Sequence, residues 1–272
     1  MKFKFILIAA MSALLSSVLA AEDTFEKLLK NYKNVTSECL LAEREKKQSA
    51  VILKEKLDNS FLDGAMIAVP GKSYSILKTE VTQKLYEFVM GEKPNWFEAE
   101  KNLPVRCGWY RVIEFCNKLS VMDGLAPVYL SRGETDVSKW KDKFPKVLWN
   151  KKANGYRLPS VEEWQYAAKG GQNFKYSGSD NIDEVAWYKD NSENNIQSVA
   201  QKKPNGYGLY DMSGNLGELC WDSYGFWDHY YCGGSLYGAS YADADDCEVD
   251  SKYCEGIYEG SFGFRIVRNI DE

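Results

Sequence analysis

The sequence predicts an irregular, loop-rich α+β fold. Only a few stretches carry the three-to-four-residue apolar spacing of a helix, and each is short. A few others alternate as half-buried strands do. Beyond residue 171 the chain is rich in Gly, Asn and Tyr with little period, and no internal repeat is found. Aromatic residues fill 14% of the 272 positions, which fits a packed globular domain and not a disordered one.

Lys2 and Lys4 precede the apolar run FILIAAMSALLSSVLA, with Val18 and Ala20 in the small-residue pattern of a cleavage site. Residues 1–20 therefore read as a signal peptide, which predicts export to a periplasmic, cell-surface or secreted location. The run is short for a membrane span, so no transmembrane span is expected after cleavage; a retained anchor is the alternative. The formal net charge is −5, and loss of Lys2 and Lys4 makes the remainder more acidic. Nucleic acid and anionic membrane surfaces are poor partners for such a chain.

Residues 21–60 are polar, with Phe25, Leu28, Tyr32, Val35 and Cys39 at alternating spacings of three and four. They form an amphipathic helix, either packed as a stalk or serving as an oligomerising surface. Asn34 opens a glycosylation sequon. The main domain is expected at 61–270. MIAVPGKSYSIL reads as a hairpin around Pro70-Gly71. TEVTQKLYEFVMG reads as a helix capped at Thr82 or Thr79, with Val81, Leu85, Phe88 and Val89 on its apolar stripe. A second helix runs from Trp109 to about Leu119, and short strands anchored by Tyr129 and Trp149 follow. In NGYRLPSVEEWQYAAKGG, Ser160 and Glu163 fit a capping box, Trp164, Ala167 and Ala168 face the core, and Gly170-Gly171 ends the helix.

The single histidine, His229, excludes a multi-histidine iron or zinc site within one chain. It lies between Asp228 and Tyr230 and reads as a surface residue. There is no phosphate-binding loop, dinucleotide fingerprint or nucleophile elbow. In NGYGLYDMSGNLGELCWD, Asp211, Asn215 and Glu218 supply oxygens and Gly214 and Gly217 a tight backbone. This suits either a calcium site or an Asx-rich turn satisfied by its own backbone.

These two stretches, followed by GGS at 233–235 and GFRIVR at 263–268, resemble the formylglycine-generating enzyme, or sulfatase-modifying factor, family. The resemblance covers about residues 62–268. It implies a C-type-lectin-like fold with structural calcium, and it maps the calcium pattern onto Asp211, Gly214, Leu216 and Glu218. Gly217 stands where the family usually carries Trp, which is expected to loosen the packing there. Catalytic relatives oxidise a substrate cysteine to formylglycine with copper(I) held by two cysteines. Gly238 and Asp243 occupy those two positions here, and neither replaces a thiolate. Copper is therefore not expected, and the chain leans away from being an enzyme.

Seven cysteines remain to be assigned. Cys232, Cys247 and Cys254 are expected to form a disulfide among themselves or to be buried structural residues; a relocated copper pair is the competing reading. The segment around them is dense in Tyr, Ser, Gly and Asp, the mixture antibody paratopes use. It predicts a recognition surface for a protein or small-molecule ligand, built from Tyr230, Tyr231, Tyr237, Tyr241, Asp243, Asp245 and Tyr253. The alternative is that these tyrosines fill an irregular core. The acidic run Asp243, Asp245, Asp246, Asp250 reads as a solvated patch rather than a second calcium loop. The leading expectation is an exported, non-catalytic binding protein. The alternatives are an oxygen-dependent cysteine oxidase with relocated cysteines, an accessory module acting through the 21–60 helix, and a variable protein of a diversity-generating retroelement, whose C-terminal segment has the same placement and composition.

Overall fold

The computed structural model describes residues 62, 64–94, 102–142, 144–225, 228–236, 243–256 and 262–270. The expected signal peptide, the 21–60 helix, Asn34, Cys39, Tyr237, Gly238 and Tyr241 lie outside them.

The Pro-Gly hairpin is present: β1 (Met66–Ala68) pairs antiparallel with β2 (Tyr74–Leu77). Helix α1 (Gln83–Met90) starts at Thr82, whose hydroxyl accepts from the Leu85 N–H, and ends at the left-handed Gly91. Helix α2 (Trp109–Met122) buries Val112, Ile113, Cys116 and Leu119, as their spacing predicts. The anchors Tyr129 and Trp149 stand directly opposite each other where β3 (Tyr129–Leu130) meets β4 (Leu148–Trp149). After β5 (Tyr156–Arg157), helix α3 (Val161–Lys169) opens with the capping box: the Ser160 hydroxyl accepts from the Glu163 N–H, and the Glu163 carboxylate accepts from the Ser160 N–H. Glu163 also takes two bonds from the buried Arg157, at 2.6 and 2.8 Å. A short helix α4 (Ile182–Val185) follows.

The last third of the described chain holds more regular structure than its composition suggests. Strands β6 (Glu218–Tyr224), β7 (Asp228–Cys232) and β8 (Lys252–Gly256) form an antiparallel sheet in that order. Strand β9 (Val267–Asn269) returns to the first sheet, between β2 and β5, giving the order β1-β2-β9-β5. One core joins α1 and α2 to Leu158, Leu219, Phe262, Phe264 and Ile266. A second joins α3, through Trp164, Ala167 and Ala168, to Ile76, Met212, Cys220, Cys232 and Val267. Strand β7 and the start of β6 are thus packed on both faces.

Two substitutions separate the cap from the ion pair. Ser160→Ala should cost about 1 kcal/mol in denaturant unfolding, the usual value of a lost N-cap. Glu163→Ala should cost about 3 kcal/mol, because it also strands the buried Arg157 guanidinium.

Candidate functional site

Two of the calcium-pattern residues, Asp211 and Glu218, lie beside an arginine. Arg265 and Glu218 are both sealed from solvent. The guanidinium donates from Nε to Glu218 Oε2 at 2.6 Å and from Nη2 to Oε1 at 2.5 Å. It also donates to the backbone carbonyls of Leu77 and Tyr210. Trp164 Nε1 donates to Glu218 Oε2 at 2.7 Å. Beside this pair Glu80, also fully buried, accepts from Asn215 Nδ2 at 2.7 Å and from the Leu216 N–H at 3.0 Å. Asp211 accepts from the Ala200 N–H at 2.7 Å. Asp211 and Asn215 adopt left-handed backbone conformations, φ 55° and 58°, which Asp and Asn tolerate better than other side chains.

This arrangement does not fit the expected calcium cage. Calcium takes six to eight oxygens, whereas both Glu218 oxygens here face a guanidinium whose charge would repel a cation. Asn215 directs its amide N–H groups, not its oxygen, at Glu80 and the Gln197 carbonyl. Among the described residues no group of three His, Cys, Asp or Glu side chains is placed to hold a metal. Asp211 and Glu218 lie close enough to Arg265 to feel its charge, whereas the Gly214 N–H donates to the Gly233 carbonyl and the Leu216 N–H to Glu80.

Three carboxylates share that one cation, and burial is felt. Glu80 is held well above the ordinary carboxylate range, first by burial and then by the charges of Asp211 and Glu218. Burial pushes Asp211 up to about 6, against the lowering effects of the Ala200 N–H and Arg265.

The described tyrosines of the predicted set, Tyr230, Tyr231 and Tyr253, do not share one surface. Residues alternate across a strand, so Tyr230 and Tyr231 point to opposite faces of β7. Tyr230 packs on the α3 side with Lys252 over its ring. Tyr231 packs on the α2 side, 5.6 Å from Tyr253 and 4.6 Å from Phe262 between ring centres. The expected loosening at Gly217 is absent. Tyr231 Cδ2 lies 2.7 Å from where a Gly217 β-carbon would stand, so the tyrosine ring fills that space. Asp243 caps a 3₁₀ turn, Ala244–Cys247, and pairs with Lys189; Asp245 pairs with Lys175. These two carboxylates are exposed.

The three expected cysteines are kept apart. Cys232 is buried against α3, Cys247 is buried in a separate cluster with Tyr176, Val185 and Tyr188, and Cys254 is exposed on β8. Burial pushes the Cys247 thiol up to about 12 and raises Cys254 as well. The thiols that do meet are Cys220 and Cys232, with Sγ atoms 4.0 Å apart. Sequence reasoning missed that pair because β6 and β7 were not recognised as strands. His229 corrects the surface reading: it is buried, stacked on Trp109 at 4.2 Å, and its imidazole is lowered by burial.

Little regular structure and small sheets of four, two and three strands among the described residues fit a formylglycine-generating-enzyme-like, C-type-lectin-type fold, which the solved structures below share. The model of the sulfatase-modifying factor enzyme 1-like domain matches residues 45–270, and the chain belongs to that family. Treponema denticola variable protein 1 is 29% identical, with a TM-score of 0.63 over 75% of this chain and 91% of that one. CarF is 26% identical, with a TM-score of 0.61 over 76% and 93%. The chaperone protein LppX of Paenibacillus barcinonensis is 42% identical over 173 residues, which is 55% of this chain and 62% of that protein. The chain therefore spans about three fifths of that relative's length.

Two measurements test the network. Arg265→Met should cost about 3–5 kcal/mol, because it leaves Glu218 charged, buried and unpaired, while a chelator should leave the melting temperature of the wild type unchanged. Asp211 titrates near 4 when unfolded and higher in the fold, at about 6. The folded state thus holds more protons in that window, so this stabilisation is complete below about pH 4 and lost as pH rises through about 6. Asp211→Asn should flatten the fall, on the order of 2 kcal/mol, in urea midpoints taken across it.

Proposed function

We propose that this chain is a non-catalytic binding protein of its family, whose ligand is met by the segment between Gly233 and Gly256. The burial of the one described pair of thiols that meets, Cys220 and Cys232, and the separation of Cys232, Cys247 and Cys254 carry this reading. The oxidase reading needs two thiolates within reach of one copper(I) ion and of a substrate thiol. Cys232 and Cys247 are instead sealed in different cores, and Cys254 stands exposed on β8. Burial works against the thiolates of Cys247 and Cys254, and the thiolate is the reactive and metal-binding form. The exposed carboxylates Asp243 and Asp245 flank the stretch that holds Tyr237 and Tyr241. Tyr230, Tyr231 and Tyr253 lie in the β7–β8 ladder and are packed there.

A polypeptide ligand is the preferred class. One relative bears the name of a variable protein and another that of a chaperone, and both names suit a surface that engages other chains. Export through residues 1–20 belongs to the same proposal. Among the described residues no helix is long and apolar enough to cross a membrane.

The test uses the purified chain and its Tyr237→Ala/Tyr241→Ala double variant, immobilised and offered the envelope proteins of the source cells. Retention of a specific protein should fall at least tenfold in the variant, with the melting temperature held within about 1 °C. Tyr231→Ala should instead lower stability by about 3 kcal/mol, as expected for a packed aromatic side chain. Copper(I) with a cysteine-containing peptide should give no oxygen uptake above buffer. Uptake that disappears in Cys254→Ser would establish the oxidase and end the binding proposal.

A further inference from the structure

We propose that Cys220 and Cys232 form a disulfide that clamps β6 to β7. Glu218 pairs with Cys232 and Leu219 with Tyr231, so the two cysteines are diagonal neighbours on one face of the ladder. Their Sγ atoms are 4.0 Å apart. Diagonal neighbours stand about 7–8 Å apart, a little wider than the roughly 4.4–6.8 Å between the α-carbons of a disulfide, so closing the bond draws β6 and β7 together beside the register shift between Leu219 and Ser223. Both residues are fully buried beneath α3. No other described thiol competes: Cys107 and Cys116 lie in another core, Cys247 in a third, and Cys254 is exposed.

Burial also sets the order of events. The thiol of Cys220 is disfavoured as a thiolate by its apolar surroundings and by Cys232 beside it. The bond therefore forms while the sheet is still open. One thiolate attacks a sulfur of a small-molecule or protein disulfide, giving a mixed disulfide and one released thiol. The second cysteine's thiolate then displaces the carrier as a second thiol. Two protons and two electrons pass from the cysteines to that disulfide oxidant. Once α3 has packed down, the bond is beyond the reach of reductants. The clamp holds Glu218 two residues from one end and Gly233-Gly234 next to the other. It is independent of the recognition reading.

The test is a peptide map of the full chain refolded in a glutathione redox buffer and alkylated in denaturant before any reduction. No Lys or Arg lies between Lys203 and Lys252, so trypsin leaves Cys220, Cys232 and Cys247 in one peptide. A second protease cutting before Asp222 and Asp228 separates the first two. The expected product is a linked pair of peptides, two hydrogens lighter than both thiols together, which reductant separates only after the protein has been unfolded. Cys220→Ala/Cys232→Ala should melt several degrees lower than the oxidised wild type, and its melting should not respond to reductant. If that variant fails to fold, oxidised and fully reduced wild type are compared instead. Alkylation of both cysteines in the unreduced protein, or a link from Cys220 to any other cysteine, would overturn the proposal.

Discussion

The ion pair between Arg265 and Glu218 is the constraint around which the domain is arranged. Neither group touches water, so each must find its whole solvation shell in the protein. Arg265 finds it in Glu218 and in the carbonyls of Leu77 and Tyr210; Glu218 finds it in Arg265 and Trp164. Those partners come from the first hairpin, from α3, from the loop before β6 and from the C-terminal segment. An ion pair this deep recovers little net stability beyond its own desolvation. Its effect is to make other arrangements costly, since any chain path that separates the two leaves a bare charge inside.

The segment carrying Arg265 is held on both sides by backbone bonds. Leu77 and Val81 donate to the carbonyls of Ile266 and Phe264, while Leu219 donates to that of Gly263 and Gly263 to that of Gly217. Residues 262–267 therefore run between the start and the end of the domain. This explains why β9 lies between β2 and β5 although it comes last in the chain. It also explains how a fold with short strands and short helices stays ordered: its two larger cores are joined by one buried polar network.

The same architecture bears on binding. Because β7 is covered on both faces, Tyr230 and Tyr231 are committed to packing. Gly217 shows the trade: the space that a large side chain would take is filled by the Tyr231 ring from the neighbouring strand. Aromatic composition alone could not distinguish a recognition surface from an irregular core, and the described part of the segment contains both uses. Tyr230 and Tyr231 serve the core, and Asp243 and Asp245 face water.

Local physics was legible in the sequence. The hairpin at Pro70-Gly71, the Thr82 cap, the buried face of α2, the Tyr129 and Trp149 anchors and the Ser160–Glu163 capping box each depend on residues within a few positions of one another. The ordered motifs at 154–171, 205–222 and 263–268 also marked the family and singled out Asp211 and Glu218, which lie beside one arginine. What surrounds them was not legible. Arg265 lies 47 positions from Glu218 and Glu80 lies 135 from Asn215, and no local pattern records such partners. His229 between two polar neighbours reads as exposed until Trp109 is laid against it. Cys220 and Cys232 become neighbours only when their strands pair. Spacing along the chain determines which residues share a face, but only tertiary packing decides what that face meets, and so whether a carboxylate cluster is neutralised by a metal ion or by an arginine.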